Sequence, residues 1–291
     1  MYRYPIYIVG GMTQSGSTKV YASLLYYLKK YKNQNTLGFH DGDLPWPICI
    51  FDKIDEWSGN PADIANFLKY LNTAPIVIKS HDCWETCRTQ FLLPYMDCVR
   101  FIFLGCLRDP RDALCSWARK SGQDLADSEA VEKFLCKQAD HQLKWDIRFI
   151  DRQALVMKEK FQWKECLTPS NCTVVYEDYQ ENNDAFAKMI YRMGNMSDDK
   201  TEKITQKISD DIIKFFNIDL LEMAKTNKNE FLLTSAHITN RGQIGGYKEF
   251  LTTEQSIAVK EDYMSYIKVL REYYETRHPP VNHLITPENE E

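Results

Sequence analysis

The sequence predicts an α/β fold with a central parallel sheet flanked by helices on both faces. Short apolar segments alternate with longer segments of helical periodicity, which is typical of a parallel sheet that is covered on both sides. Three of the apolar segments end in polar clusters, at Gly11, at Lys79 and at Arg108. Because parallel strands end at one edge of the sheet, where ligands of such folds bind, we expect one site there.

Length and composition favour one large domain. A chain of 291 residues with 44% hydrophobic residues can bury a sizeable core, which we assign to residues 1–278, and residues 279–291 form a polar tail. The net charge of -5 argues against a nucleic-acid partner. The N-terminus has no signal pattern and no apolar run of about 18 residues follows, so we expect no membrane partner and a cytoplasmic location.

Cysteine usage gives no sign of a metal centre. The nine cysteines lack paired spacing. Although His81, Cys83 and Cys87 could begin a metal site, no second pair with the spacing of a zinc site follows them. We therefore expect reduced thiols and no bound metal.

The first part of the chain contains two predicted strands and two predicted helices. Ile6–Val9 is an apolar run that ends at two glycines. A helix follows, and its apolar residues recur at i, i+3, i+4 and i+7: Tyr21, Leu24, Leu25 and Leu28. The polar stretch 33–61 predicts surface loops, residues 61–71 predict a helix, and residues 75–78 predict a second strand.

The rest of the chain continues the same alternation. The apolar run 99–107 precedes Asp109 and Pro110, which suit the cap and the first position of a helix. Thr252 and Gln255 form a capping-box pattern before the last helix. Residues 172–176 predict a further strand, and the remaining predicted helices are 128–165, 183–195 and 197–227.

The segment from Gly11 to Thr18 has the spacing of a phosphate-binding P-loop between a strand and a helix. Such a loop points backbone N–H groups and the positive end of the helix at a phosphate. Ser17, however, stands where ATP-using P-loop enzymes have a lysine on the β- and γ-phosphates. The loop therefore favours a nucleotide ligand other than ATP. A P-loop kinase and a catalytically weak nucleotide-binding module are the alternative interpretations.

Several ordered segments resemble the motifs of the cytosolic-type sulfotransferases that use 3′-phosphoadenosine 5′-phosphosulfate (PAPS). In chain order they are Gln14-Ser15-Gly16-Ser17-Thr18, Lys79-Ser80-His81, Arg108 to Ser116, Tyr176-Glu177-Asp178 and Asn240 to Lys248. The resemblance spans residues 6–252 and implies a P-loop-like sulfotransferase fold. It also implies transfer of a sulfuryl group from PAPS, which leaves as adenosine 3′,5′-bisphosphate (PAP).

The resemblance implies roles for individual residues. His81 would be the general base, while Lys79 and Gln14 would contact the transferring group. The 3′-phosphate would bind Arg108, whose guanidinium is always charged, and Ser116, which lies eight residues further on. The full set implied for donor binding is Thr13, Gln14, Ser15, Gly16, Ser17, Thr18, Lys19, Arg108, Ser116, Tyr176, Arg241 and Gly242.

Three positions depart from the family pattern. Gln14 replaces a basic residue, Lys19 stands where many members have a tryptophan that stacks on adenine, and Asn240 replaces an arginine. A neutral amide can donate a hydrogen bond to a sulfate oxygen, but it cannot offset developing charge. We therefore expect Lys79, or Lys19 from one helical turn away, to supply that charge.

The acceptor is predicted to be a small molecule with a hydroxyl or an amine. Residues that would line its site are Phe39, Trp46, Asp82, Trp84 and Tyr247. The acidic balance of the chain and the carboxyl of Asp82 beside His81 would suit a cationic natural product, for example a guanidinium alkaloid such as saxitoxin. A homodimer is left as an option.

Overall fold

The computed structural model describes residues 2–11, 14–40, 68–80, 98–120, 173–195, 204–226 and 244–262. Five strands in these ranges form one sheet in which every neighbouring pair is parallel, in the order β2-β3-β1-β4-β5. The strands are β1 (Ile6–Gly11), β2 (Leu37–His40), β3 (Ile76–Ser80), β4 (Phe101–Leu107) and β5 (Thr173–Val175).

Helices connect and follow these strands. In chain order they are α1 (Ser17–Tyr31), α2 (Pro110–Lys120), α3 (Tyr176–Glu181), α4 (Asn183–Gly194), α5 (Gln206–Lys214), α6 (Leu220–Thr226) and α7 (Thr253–Asp262). Two short 3-10 turns lie at Tyr70–Asn72 and Gly246–Glu249, and a π-helical turn at Phe215–Asp219 joins α5 to α6. The α/β fold class predicted from the alternation of segments is therefore confirmed.

Both faces of the sheet are buried at its central strand. Tyr7 and Val9 pack in a core cluster with side chains of α1, α4 and α5. Because successive side chains of a strand point to opposite faces, Ile6 and Ile8 lie on the other face, where each is at most 1% exposed. A parallel sheet that is buried on both faces is the arrangement expected when helices cover it from both sides.

The strand order places β1 between β3 and β4. The chain moves from β1 to one side of the sheet to form β2 and β3, and then crosses to the other side to form β4 and β5. The order of the strands thus reverses at β1. In open α/β sheets this switch point lies beside a crevice at the carboxyl ends of the strands, so the loop that follows β1 is in the position of a ligand-binding loop.

Two sequence predictions were wrong in the described part of the chain. The stretch 33–61 was expected to be loops, but residues 37–40 form β2, which pairs only with β3 at the edge of the sheet. A strand of four residues is too short to show a clear alternation of apolar and polar residues in the sequence. Within the described residues 204–226 of the helix expected at 197–227, α5 begins at Gln206, where the Thr205 hydroxyl caps it, and the π-helical turn interrupts the helix after Lys214.

The π-helical turn has a packing cause. The consecutive residues Phe215 and Phe216 are both buried, and a regular helix would point adjacent side chains about 100° apart. In the widened turn, Phe215 stacks on Tyr26 at 4.1 Å between ring centroids, while Phe216 packs against Phe186 at 4.5 Å.

Local capping signals in the sequence were correct. Asp109 accepts a hydrogen bond from the N–H of Arg111 at 2.9 Å, and α2 begins at Pro110 as expected. At the start of α7 the capping box is reciprocal, since Thr252 N–H donates to Gln255 Oε1 at 3.0 Å and Gln255 N–H donates to Thr252 Oγ1 at 3.2 Å. These signals succeed because they involve residues within one turn of each other.

We expect Thr252→Ala to lower the free energy of unfolding by about 1 kcal/mol, because it removes the hydroxyl that accepts from Gln255 N–H. Urea denaturation followed by circular dichroism measures this loss. The matched control is Thr253→Ala at the exposed first position of α7, which should change stability by less than about 0.5 kcal/mol. Equal losses in the two variants would contradict the capping role.

Candidate functional site

Residues 14–16, which lie immediately before α1, combine two left-handed backbone positions with an uncapped helix start. Gln14 and Gly16 have positive φ angles of 69° and 86°, and α1 begins at the next residue, Ser17. The helix has no side-chain cap and no acidic residue in its first turn. Ser15 Oγ is buried and has no hydrogen-bond partner among the described residues. Helix N–H groups without a side-chain cap and an unsatisfied hydroxyl together fit an anionic ligand such as phosphate.

Gly16 is required by close packing as well as by its backbone angle. A Cβ atom at this position would lie 1.9 Å from the Tyr179 hydroxyl and 2.5 Å from the Tyr176 ring. The same Tyr179 hydroxyl donates to Gly16 O at 3.4 Å. The loop therefore rests directly on α3, and no larger residue fits between them.

Arg108 and Ser116 both contact Gln14 of the loop. Arg108 follows the end of β4, and its Nη1 donates to Gln14 O at 3.0 Å. Ser116 lies on α2, and its hydroxyl donates to Gln14 Oε1 at 3.2 Å. The two residues expected to hold a 3′-phosphate are thus brought to the loop expected to hold a 5′-phosphate. Their roles as phosphate ligands stay predictions.

Tyr176 lies beneath two cationic side chains. The guanidinium carbon of Arg108 is 4.2 Å from the centroid of its ring, within the range of a cation–π contact. Lys19 Nζ is 6.0 Å from the same centroid and 4.9 Å from that of Phe216. Burial, followed by repulsion from Arg108, lowers the pKa of Lys19 to about 8. An anion bound here would favour the charged form of this lysine.

Lys79 is placed at the same edge of the sheet. It is the residue before the last in β3, pairs with Val9 of β1 in the parallel register, and is 2% exposed. Ser80 ends the strand, so His81 comes directly after it in the chain.

The described end of the predicted C-terminal loop, residues 244–248, is held on α2. Asp112 accepts from Gly245 N–H at 2.7 Å and from Tyr247 N–H at 2.9 Å. The Arg111 guanidinium lies 4.0 Å from the centroid of the Tyr247 ring, and Arg119 lies 3.7 Å from that of Phe250. Burial, followed by the charge of Asp109, raises the pKa of Asp112. Helix α2 thus holds the C-terminal segment and also carries Ser116.

Sequence reasoning did not find the role of Asp112 or that of Glu177. Asp112 lies in the first turn of α2, where an acidic residue is favourable for the helix itself, but it also accepts two backbone N–H groups from residues far along the chain. Asp112 precedes Ser116 by four residues, which places both on the same side of a helix. This spacing was the signal in the sequence that Asp112 belongs to the site. Glu177 accepts from Asp109 N–H at 2.9 Å, and nothing local in the sequence indicates that contact.

Several predicted site residues lie outside the described residues: Thr13, Trp46, His81, Asp82, Trp84, Arg241 and Gly242. Phe39 belongs to β2, but only its backbone is described. The contacts given above for Tyr247 are with α2, and its part in acceptor binding stays a prediction.

In the described ranges, no helix combines the length and the apolar character needed to cross a membrane. The same ranges contain no group of three or more His, Cys, Asp or Glu side chains that could hold a metal ion.

The solved structures that match the chain include two that contain PAP. Retinol dehydratase in a complex with retinol and PAP matches with a TM-score of 0.52 and 14% identity, over 92% of this chain and 82% of that one. Mouse sulfotransferase SULT7A1 complexed with PAP matches with a TM-score of 0.53 and 14% identity, over 94% of this chain and 89% of that one. The protein has the sulfotransferase fold. No protein-family model and no curated protein sequence matches the chain.

The two positive-φ glycines allow a test of the contact between the loop and α3. Gly16→Ala should lower the free energy of unfolding by about 2 to 4 kcal/mol, since it adds both backbone strain and a clash with two tyrosines. Gly245→Ala has a comparable φ of 73°, but its Cβ would meet no atom of the described residues within 4 Å, so it should lower the free energy of unfolding by only about 1 kcal/mol. Thermal and urea unfolding measure the loss of stability in the two variants, and equal losses would contradict the packing constraint at Gly16.

Proposed function

We propose that the protein is a PAPS-dependent sulfotransferase that transfers a sulfuryl group to a hydroxyl or an amine of a small molecule. The observation that carries this proposal is the convergence of Arg108 and Ser116 on Gln14. A loop suited to one phosphate lies within hydrogen-bond distance of an arginine and a serine suited to another. A nucleotide with phosphates on both its 5′ and 3′ positions matches this pair of sites.

The nucleotide site is supported from two directions. The uncapped start of α1 and the buried hydroxyl of Ser15 provide donors for a 5′-phosphate. The sulfotransferase fold supports the same assignment, because both solved structures contain PAP. A P-loop kinase is disfavoured by Ser17, which would have to be lysine to reach the outer phosphates of ATP.

The reaction is an in-line displacement at sulfur. The acceptor oxygen or nitrogen forms a bond to sulfur while the bond between sulfur and the bridging phosphate oxygen breaks, and PAP leaves. His81 takes the proton of the acceptor. Lys79 and the N–H groups of the loop stabilise the negative charge that develops on the departing phosphate. Gln14 contributes hydrogen bonds but no charge, which is the observation that favours a catalytically weak nucleotide-binding module as the second candidate.

The acceptor is proposed from charge alone. Asp82 beside His81, in a chain with a net charge of -5, suits a cationic small molecule, and a guanidinium alkaloid is one candidate. A cytoplasmic location and a homodimer belong to the same proposal. A screen of PAPS turnover against alcohols, phenols, amines and guanidinium compounds would identify the class.

Donor specificity is tested by binding. Isothermal titration should show that PAP binds without magnesium and more tightly than Mg-ATP. Arg108→Lys should weaken PAP binding by about 10- to 100-fold, because it loses the forked contact with a phosphate. Ser116→Ala should weaken it by about 5- to 10-fold. The matched control for Arg108→Lys is Arg119→Lys, which alters an arginine on α2 that lies against the Phe250 ring. If Mg-ATP binds more tightly than PAP, the kinase interpretation replaces the proposal.

The proposed base is tested by turnover. With an acceptor from the screen, His81→Ala should lower kcat by about 100-fold or more while leaving the Kd of PAP within about 3-fold. A His81→Ala enzyme that keeps most of its turnover would mean that another group removes the proton. If wild-type protein binds PAP but turns over no acceptor, the binding-module interpretation is favoured.

A further inference from the structure

The ends of β4 and β5 continue to face each other after their backbone pairing stops. The last pair of the parallel register is Leu107 with Val175. Tyr176 then begins α3, so the backbone of β5 turns away from the sheet. The same offset along the two chains would next bring Arg108 opposite Tyr176 and Asp109 opposite Glu177.

Side chains make both of these contacts. The ring of Tyr176 packs against the Arg108 guanidinium, with 4.2 Å between its centroid and the guanidinium carbon. Glu177 Oε1 accepts the N–H of Asp109 at 2.9 Å. In a continued sheet this N–H would have donated to a backbone carbonyl, and it must be satisfied because it is buried. The carboxyl of Glu177 thus replaces the carbonyl that β5 no longer supplies.

Glu177 is an unusual group to find at this position. It is 1% exposed, and burial, opposed by the hydrogen bond from Asp109 N–H, raises the pKa of its carboxyl to about 8. Its second oxygen, Oε2, has no hydrogen-bond partner in the described part of the chain. Burying such a group costs free energy. The contact that offsets this cost is the hydrogen bond from Asp109 N–H, which belongs to the peptide that follows Arg108.

That peptide determines where Arg108 points. The guanidinium lies against the Tyr176 ring and donates to Gln14 O at 3.0 Å. A side chain of this length reaches the same point from a displaced backbone only with a different rotamer. The hydrogen bond that holds the Asp109 N–H therefore also fixes the backbone position from which the Arg108 side chain extends toward the loop.

We propose that Glu177 is a positioning residue for Arg108, which it holds in reach of the 3′-phosphate by accepting the Asp109 N–H. The proposal deepens the proposed function and rests on it, since it takes Arg108 as a ligand of that phosphate. Glu177 itself touches no part of the nucleotide in this scheme. Its effect should appear in discrimination between nucleotides with and without a 3′-phosphate.

The test compares the Kd values of PAP and adenosine 5′-monophosphate in wild type, Glu177→Gln and Glu177→Met at pH 7. Methionine fills a similar volume but provides no oxygen for Asp109 N–H, so Glu177→Met should weaken PAP binding by about 10- to 100-fold. Binding of the monophosphate, which lacks the 3′-phosphate, should change by less than about 3-fold. Glu177→Gln keeps an acceptor oxygen and should stay within about 3-fold of wild type for both ligands.

Two controls separate positioning from general destabilisation. Glu181→Met makes the same change at the exposed end of α3 and should leave both Kd values unchanged. Ile212→Ala truncates a buried side chain of α5 and should lower the melting temperature without altering the ratio of the two Kd values. A loss of stability alone cannot reproduce a selective loss of PAP binding.

The outcomes distinguish the two proposals. If wild type prefers PAP and Glu177→Met keeps that preference, the positioning role is wrong and the proposed function stands. If wild type binds PAP no more tightly than the monophosphate, the assignment of Arg108 fails and both proposals fall. Should Glu177→Met not fold, amide hydrogen exchange of wild type decides: Asp109 N–H must be as protected as the N–H groups inside β4, and exchange at an unprotected rate overturns the role.

Discussion

The close approach of Gly16 to Tyr176 and Tyr179 holds the carboxyl edge of the sheet in one arrangement. Since no Cβ fits there, the loop backbone lies directly against the tyrosines of α3. Helix α3 begins where β5 ends, and β5 pairs with β4, so the loop is located relative to the strand that carries Arg108. The hydrogen bond from Arg108 to Gln14 O then connects the end of that strand back to the loop. Displacing any one of these contacts would displace the rest.

At the carboxyl edge of the sheet, three acidic side chains interact with protein groups and not with the proposed phosphate ligand. Asp109 pairs with Arg111 at 2.8 Å. Asp112 accepts two backbone N–H groups of the C-terminal segment. Glu177, with its pKa raised to about 8 chiefly by burial, is mostly protonated at neutral pH. These carboxyl groups oppose a bound phosphate less than three isolated carboxylates would, and Lys19 and Lys79 add positive charge nearby.

Local patterns allowed much of the fold to be predicted, and tertiary contacts account for what was missed. The strands at 6–11, 76–80 and 101–107, and the caps at Asp109 and Thr252, depend on residues close in sequence. Strand β2 and the π-helical turn depend on a neighbouring strand and on two aromatic rings that must both be buried. At the site, the resemblance to sulfotransferases pointed to Arg108 and Ser116, but their meeting at Gln14 depends on the sheet order. The contact between Glu177 and Asp109 follows from strand register, which a sequence alone does not display.

The distance along the chain between Gly16 and Tyr179 has a consequence for synthesis. The two partners are 163 residues apart. A ribosome adding about 5 to 20 residues per second would expose the loop roughly 10 to 30 seconds before the helix that packs on it exists. The strands β1, β2 and β3 can pair during that interval, whereas the proposed nucleotide site cannot be completed. The site is therefore among the last parts of the molecule to form on a growing chain, and a truncated product ending before residue 176 would carry the loop without the surface that shapes it.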